Sequence, residues 1–193
     1  MKPKINRKGN KNKVSNYDTC QTPAYAIEPL LRFIPLQTII WEPARGEGIL
    51  ARALNVAGYH RMISTELKPD GVDFFKWTPH VFDCIVTNPP YSIKYDWLER
   101  CYSLGKPFAL LMPVEMISAA KAIKMFQFYR IQIIFMYPRI DFKMPKLGWS
   151  GAGAQFPTCW YTWKLHLPKD IMFHNVSEWK SEWASIYKKN GKA

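Results

Sequence analysis

The sequence predicts an α/β fold, a mostly parallel seven-stranded sheet with an antiparallel hairpin at one edge. Three observations carry this. Apolar runs rich in β-formers alternate with segments of helical period, the pattern of parallel strands joined by right-handed crossovers. The first strand is followed by a glycine turn (Gly46, Gly48) and the fourth is stopped by Pro89 and Pro90, which places irregular backbone at strand ends, where such sheets bind ligands. The last two strand-like runs have only a loop between them, and strands joined without a helix pair antiparallel.

The elements follow in order along the chain. Thr22 before Pro23 reads as an N-cap with proline at the first helical position, opening a short helix through Leu30 and Leu31. Thr38 to Glu42 reads as a buried strand, and Ile49 to Ala57 as a helix closed by Gly58. Arg61 to Thr65 is the second strand, Gly71 to Phe75 a short third, and Val81 to Thr87 the fourth. Ile93 to Tyr102 has helical period, with Trp97, Leu98 and Cys101 on one face. Pro107 to Met112 is the fifth strand, Ser118 to Tyr129 a helix capped by Ser118, and Ile131 to Met136 the sixth strand. A long loop from Pro138 to Phe156 leads to the last strand, Cys159 to Leu165. Ser177 caps a final helix whose Trp179, Trp183, Ile186 and Tyr187 share one face, predicted to dock on the protein's own body.

Composition narrows the class. The chain has 193 residues, 48% of them hydrophobic, enough for one sizeable core. No run of about eighteen apolar residues is present, so no membrane span is predicted, and no secretory signal opens the chain. Cys20, Cys84, Cys101 and Cys159 form no C-x-x-C pair, so no zinc site or disulfide framework is legible. A reducing, cytoplasmic compartment fits. The net charge is +12, which points to a polyanionic partner. Lys2, Lys4, Arg7, Lys8, Lys11 and Lys13 supply half of it, with no acid among the first fourteen residues. Residues 1–15 read as a basic arm that tracks phosphates, 16–168 as the domain carrying the site, and 169–193 as a C-terminal helical extension.

Four constellations carry chemistry. Asn88-Pro89-Pro90-Tyr91 sets a side-chain amide, two prolyl carbonyls and an aromatic ring at a strand's C-terminal tip. The Asn88 amide oxygen and the Pro89 carbonyl can both accept from one –NH2 group, and Tyr91 can stack on the ring that bears it. Glu42-Pro-Ala-Arg-Gly-Glu-Gly48 is a turn where a ligand can approach the backbone closely, with Glu42 placed to meet a positive group. Glu66, about twenty residues beyond the glycines, suits a ribose diol. Asp73 and Phe74 suit an adenine, one as acceptor and one as packing surface.

Taken together these residues resemble the S-adenosylmethionine-dependent amino-methyltransferases of nucleic acids, in particular the DNA adenine-N6 methyltransferases. The similarity lies in Asn88–Tyr91, in the Glu42–Gly48 turn and in Thr22-Pro23 within Tyr17–Pro23, in the order of that family's gamma arrangement. It implies a Rossmann-like class I methyltransferase fold. It implies that Tyr17, Thr22, Pro23, Glu42, Ala44, Gly46 and Gly48 hold the methionine part of S-adenosylmethionine, Glu66 its ribose, and Asp73 with Phe74 its adenine. Asn88, Pro89, Pro90 and Tyr91 would grip the target amine, Asn88 also facing the cofactor. A flipped base needs a second wall, for which Phe142 and Trp149 are candidates, and Arg139, Lys143 and Lys146 would reach phosphates. No large recognition domain follows the core, as in the compact, stand-alone enzymes of phages and mobile elements.

Adenine N6 in DNA is the favoured target, with RNA adenine N6 and DNA cytosine N4 open, because the motif recognises an amine and not a polymer. A protein-glutamine substrate is disfavoured by the short segment before the first strand and by the charge. A nucleic-acid-binding module on an inactive scaffold is the reading from another class. The oligomeric state is open, with a monomer favoured.

Overall fold

A computed structural model of the chain describes residues 18, 20–144, 148–149, 156–180 and 182–183. The basic arm, Tyr17, Lys146, Ile186 and Tyr187 lie outside them, as does the side chain of Trp149.

Seven strands form one sheet: β1 (Ile40–Glu42), β2 (Met62–Ser64), β3 (Cys84–Thr87), β4 (Phe108–Pro113), β5 (Gln132–Tyr137), β8 (Thr158–Trp163) and β9 (Ile171–Asn175). Their spatial order is β2-β1-β3-β4-β8-β5-β9. Every pairing is parallel except those of β8, which runs antiparallel to both β4 and β5. Helices α1 (Ile49–Val56), α2 (Lys94–Leu104) and α3 (Ala120–Tyr129) make the crossovers, and β6 (Lys143–Met144) pairs with β7 (Gly148–Trp149) in a small separate hairpin.

The sheet separates two apolar layers. On one face, Ile27 and Leu30 of the N-terminal segment pack with Leu50, Ala53 and Leu54 of α1 around Trp160. Trp183 is buried in this layer and Trp179 packs against it, so the last helical segment docks on the body. On the other face, Trp97, Leu98 and Cys101 of α2 join Ala122 and Met125 of α3 around Trp41, Phe74 and Tyr161. Large rings bury the most apolar area per residue, and the second layer is the richer in them, with Phe82, Tyr102 and Phe108 also buried there.

The structure corrects several expectations. Gly71 to Phe75 is a turn and not a strand: the Asp73 carboxylate accepts from Phe75 N–H, and its carbonyl accepts from the N–H groups of Lys76 and Trp77. A short acidic side chain that bonds its own downstream backbone draws the chain out of a ladder. The seventh strand is instead β9, parallel to β5, in a stretch whose His174 and Asn175 dilute the apolar signal. The expected antiparallel pair forms between β5 and β8, but β8 enters between β4 and β5, and β9 takes the edge beyond them. Thr22 does not cap the first helix. Pro23 occupies that position, and Ala24–Leu30 is a 3-10 helix containing Pro29, whose missing N–H disfavours a regular α ladder. Ser118 does not cap α3; Ala119 occupies the N-cap position without a side-chain bond, and Ser118 Oγ donates to the Glu115 carbonyl.

Candidate active site

Strand order locates the site. From β1 the chain crosses to β2 on one side and then to β3 on the other. The order reverses between β1 and β3, and in open α/β sheets the crevice outside the carboxyl ends at such a reversal is where ligands bind. The glycine turn leaves β1 there and Asn88 to Tyr91 leave β3, so two segments about forty residues apart flank one crevice.

At the tip of β3, Pro89 is buried and Asn88, Pro90 and Tyr91 are half-buried. The Asn88 Oδ1, Thr87 Oγ1 and Tyr91 hydroxyl are all buried without a hydrogen-bond partner, as is Thr158 Oγ1 at the neighbouring tip of β8. A buried acceptor left unmade costs about 1–3 kcal/mol, and native chains keep few of them. Burial, with the nearby Cys20, Cys159 and Glu115, raises the Tyr91 hydroxyl well above the ordinary phenol range, so it is a neutral group. The Tyr91 ring meets Phe156 edge to face at 5.6 Å.

On the β1 side, Gly46 adopts φ +53, a left-handed conformation that strains a residue with a side chain, and a Cβ there would meet the tip of the Gln21 side chain at 2.6 Å. Glu42 is 1% exposed beneath the turn. Its carboxyl is held well above the ordinary carboxylate range, first by burial and further by Glu66, against a long hydrogen bond from Ser64 Oγ (3.4 Å). Glu66 is half-buried and joins the two turns: Oε2 accepts from Gly46 N–H at 2.9 Å and Oε1 from Leu67 N–H at 2.8 Å. Asp70 accepts from Glu66 N–H and pairs with Arg45 at 2.9 Å, fixing the loop that carries Glu66. Ala44 is half-buried against the aromatic layer, and Gly48, with φ +74, is buried.

The N-terminal segment straps this crevice. Asp18 Oδ1 accepts from Ser92 N–H at 3.0 Å, across to the turn after Tyr91. Gln21 Oε1 accepts from Glu47 N–H at 2.8 Å, and the Gln21 backbone exchanges two hydrogen bonds with Lys143. Thr22 and Pro23 are buried beside it. Lys143 Nζ pairs with Glu47, which ties strap, loop and glycine turn together.

Three expected roles change on this geometry. Phe142 is 2% exposed in the core, offset-stacked on Phe156 at 6.0 Å, so it is no wall of an open slot. Phe156, unmarked in the sequence, is the ring that reaches Tyr91. Lys143 is engaged by Glu47 and Gln21 and is not a free phosphate contact. Phe74 is 4% exposed, stacked on Trp97 at 3.9 Å and against Trp41, so it packs the core beneath Asp73. Arg139 is exposed. Asp18 and Gln21 lay within the Tyr17–Pro23 element without a signal of their own, because their partners are distant in sequence. Among the described residues no group of three or more His, Cys, Asp or Glu side chains could hold a metal ion, and no helix is long and apolar enough to cross a membrane.

No family model matches the chain, and no curated protein sequence matches it. Solved structures do. A type I restriction-modification methyltransferase subunit from Streptococcus thermophilus superposes with TM-score 0.56 at 13% identity, over 83% of this chain and 48% of its own, so the chain spans about half the length of that subunit. A putative RNA methyltransferase from Pyrococcus horikoshii gives TM-score 0.52 at 13% identity, over 80% of this chain and 91% of its own. A putative class I S-adenosylmethionine-dependent methyltransferase from Listeria monocytogenes gives 0.52 at 14% identity, over 86% and 68%. The fold is therefore the Rossmann-like class I methyltransferase fold.

Proposed function

We propose that this chain transfers a methyl group from S-adenosylmethionine to an exocyclic amine of a nucleic-acid base, with adenine N6 in DNA the favoured target. The observation that carries the reading is the buried, unpartnered Asn88 Oδ1 at the tip of β3, beside the point where strand order reverses. An amine with two hydrogens supplies what that oxygen lacks, and the adjacent Pro89 carbonyl accepts the second hydrogen. Held this way, the nitrogen turns its lone pair toward the glycine side of the crevice.

The residues there suit the cofactor. Glu66 keeps lone pairs on both oxygens for a ribose diol, and Glu42 is a buried acid that a cationic ligand would ionise. When bound, S-adenosylmethionine supplies an electrophilic methyl on a sulfonium, so the chain needs no strong base. The work of the protein is orientation and fixed dipoles. Tyr91 offers its ring to the base, and Phe156, in place of Phe142, closes the slot from the loop side.

The test is transfer of tritiated methyl from S-adenosylmethionine into DNA, RNA and protein pools, followed by digestion of the labelled polymer. Label in N6-methyladenine from DNA is expected. Label in RNA or in N4-methylcytosine would move the target within the same chemistry. Label in protein, or in none of the pools, would remove the reading, and the last outcome would leave a binding module on an inactive scaffold.

A further inference from the structure

We infer that the outward face of α3 is a phosphate track, carrying the polynucleotide strand that flanks the target base; this rests on the function proposed above. The charge is one-sided. From Met116 to Ile140 the chain carries Lys121, Lys124, Arg130 and Arg139 and no acid at all. Ala122 and Met125 bury the inner face of α3, which turns Lys121, Lys124, Gln127 and Phe128 to solvent. Neither Lys121 nor Lys124 has an acidic partner among the described residues, in contrast to Lys143 in the loop, which Glu47 neutralises.

The track begins at the candidate site. Lys94, the first residue of α2, follows the turn that holds Tyr91. Two ammonium groups approach the Tyr95 ring, Lys94 Nζ at 5.6 Å and Lys121 Nζ at 5.5 Å from its centroid. Glu115 offsets Lys94 alone. From there α3 extends about 15 Å, roughly four nucleotides at 3.4 Å each along a duplex strand. Phe128, 55% exposed near the far end, offers a ring against a sugar or an unstacked base.

The helix's own electrostatics run against it in the free chain. No side chain caps its N-terminus, its first turn has no acid, and Lys121 and Lys124 lie close to the positive end of its dipole. A polyanion laid along this face would turn that repulsion into attraction, and phosphate contacts of this kind set register without reading sequence.

The experiment compares the full chain with Lys121→Gln/Lys124→Gln and with the control Arg32→Gln, exposed on the opposite face of the sheet, where Leu31 and Phe33 pack. Binding to duplex DNA, single-stranded DNA and an RNA hairpin is measured across salt concentrations, together with methyl transfer, cofactor affinity and the melting midpoint. The double variant is expected to melt and bind cofactor as the unaltered chain does. It should raise KM for the polymer more than it lowers kcat, and flatten the log–log salt slope by about 0.9 per lost contact on duplex or 0.7 on single strands. The control should leave the slope in place, and the polymer with the largest slope change is the one the track fits. An unaltered chain that binds and methylates while the double variant keeps its slope and KM would overturn the track alone. A chain that binds but methylates nothing would overturn the function, with the slopes still deciding the track. A chain that binds none of the three polymers would overturn both.

Discussion

Asn88 carries an oxygen that the chain buries and leaves unsatisfied. Truncating it should remove catalysis without harming the fold, since a lost orphan acceptor removes a cost and not a contact. Asn88→Ala is expected to lower methyl transfer about 10²–10³-fold, the range for deleting one fixed polar contact to a reacting group, with cofactor affinity nearly unchanged. Turnover assays beside titration of the cofactor check this, and wild-type-like turnover would contradict the assignment. Glu42 makes a second residue-level prediction. Its folded-state pKa is raised by burial above that of the unfolded chain. Below the ordinary glutamate value both states hold the proton, and above the raised value both have lost it. Between them the folded chain binds the extra proton, so stability falls as pH rises. Glu42→Gln should flatten this decline and melt higher at neutral pH, as a series of melting curves from about pH 5 to 8 would show. The same substitution should weaken cofactor binding and remove its improvement with pH. The identity of both residues was legible from motif and position in the sequence. The proton affinity of Glu42 was not, because Ser64 and Glu66 reach it only through the pairing of β2 with β1.

At the scale of elements, the strap is the feature that spacing did not show. Asp18 reaches Ser92 across 74 positions, and Gln21 meets both Glu47 and Lys143. Periodicity reports on neighbours along one helix or strand and carries no signal for a contact of that range. Asp18→Ala should cost about 0.5–2 kcal/mol, the range for losing a carboxylate that caps a turn N–H, and should lower kcat/KM by loosening the turn after Tyr91. Asp18→Asn, which keeps the acceptor, should restore most of both. Chemical denaturation and transfer assays on the two variants separate this from a general loss of packing. The opposite errors have local causes. Gly71 to Phe75 looked like a strand because Val72, Phe74 and Phe75 are β-formers, yet Asp73 curls it. β9 carries little strand signal of its own, because only Ile171, Met172 and Phe173 mark it as apolar, and pairing with β5 supplies the rest.

For the whole molecule, the arm and the body should add. The arm's six cations within residues 1–13 predict that deleting 1–14 weakens nucleic-acid binding and reduces the salt slope by about 0.9 for each duplex phosphate they contact. A slope unchanged in salt titrations would reduce the arm to a solubility tail. Alternation of strands and helices, the glycine turn, the proline-stopped strand and the excess of positive charge are written in the chain itself, because each depends on residues close together or on a simple sum. They determine the α/β class and the residues at the strand tips. Which tips become neighbours is a different matter. That β1 lies beside β3, that β8 slips between β4 and β5, and that Phe156 and not Phe142 touches Tyr91 depend on how two apolar layers pack against a twisted sheet. Those choices are made jointly by residues far apart in sequence, and only the tertiary structure decides them.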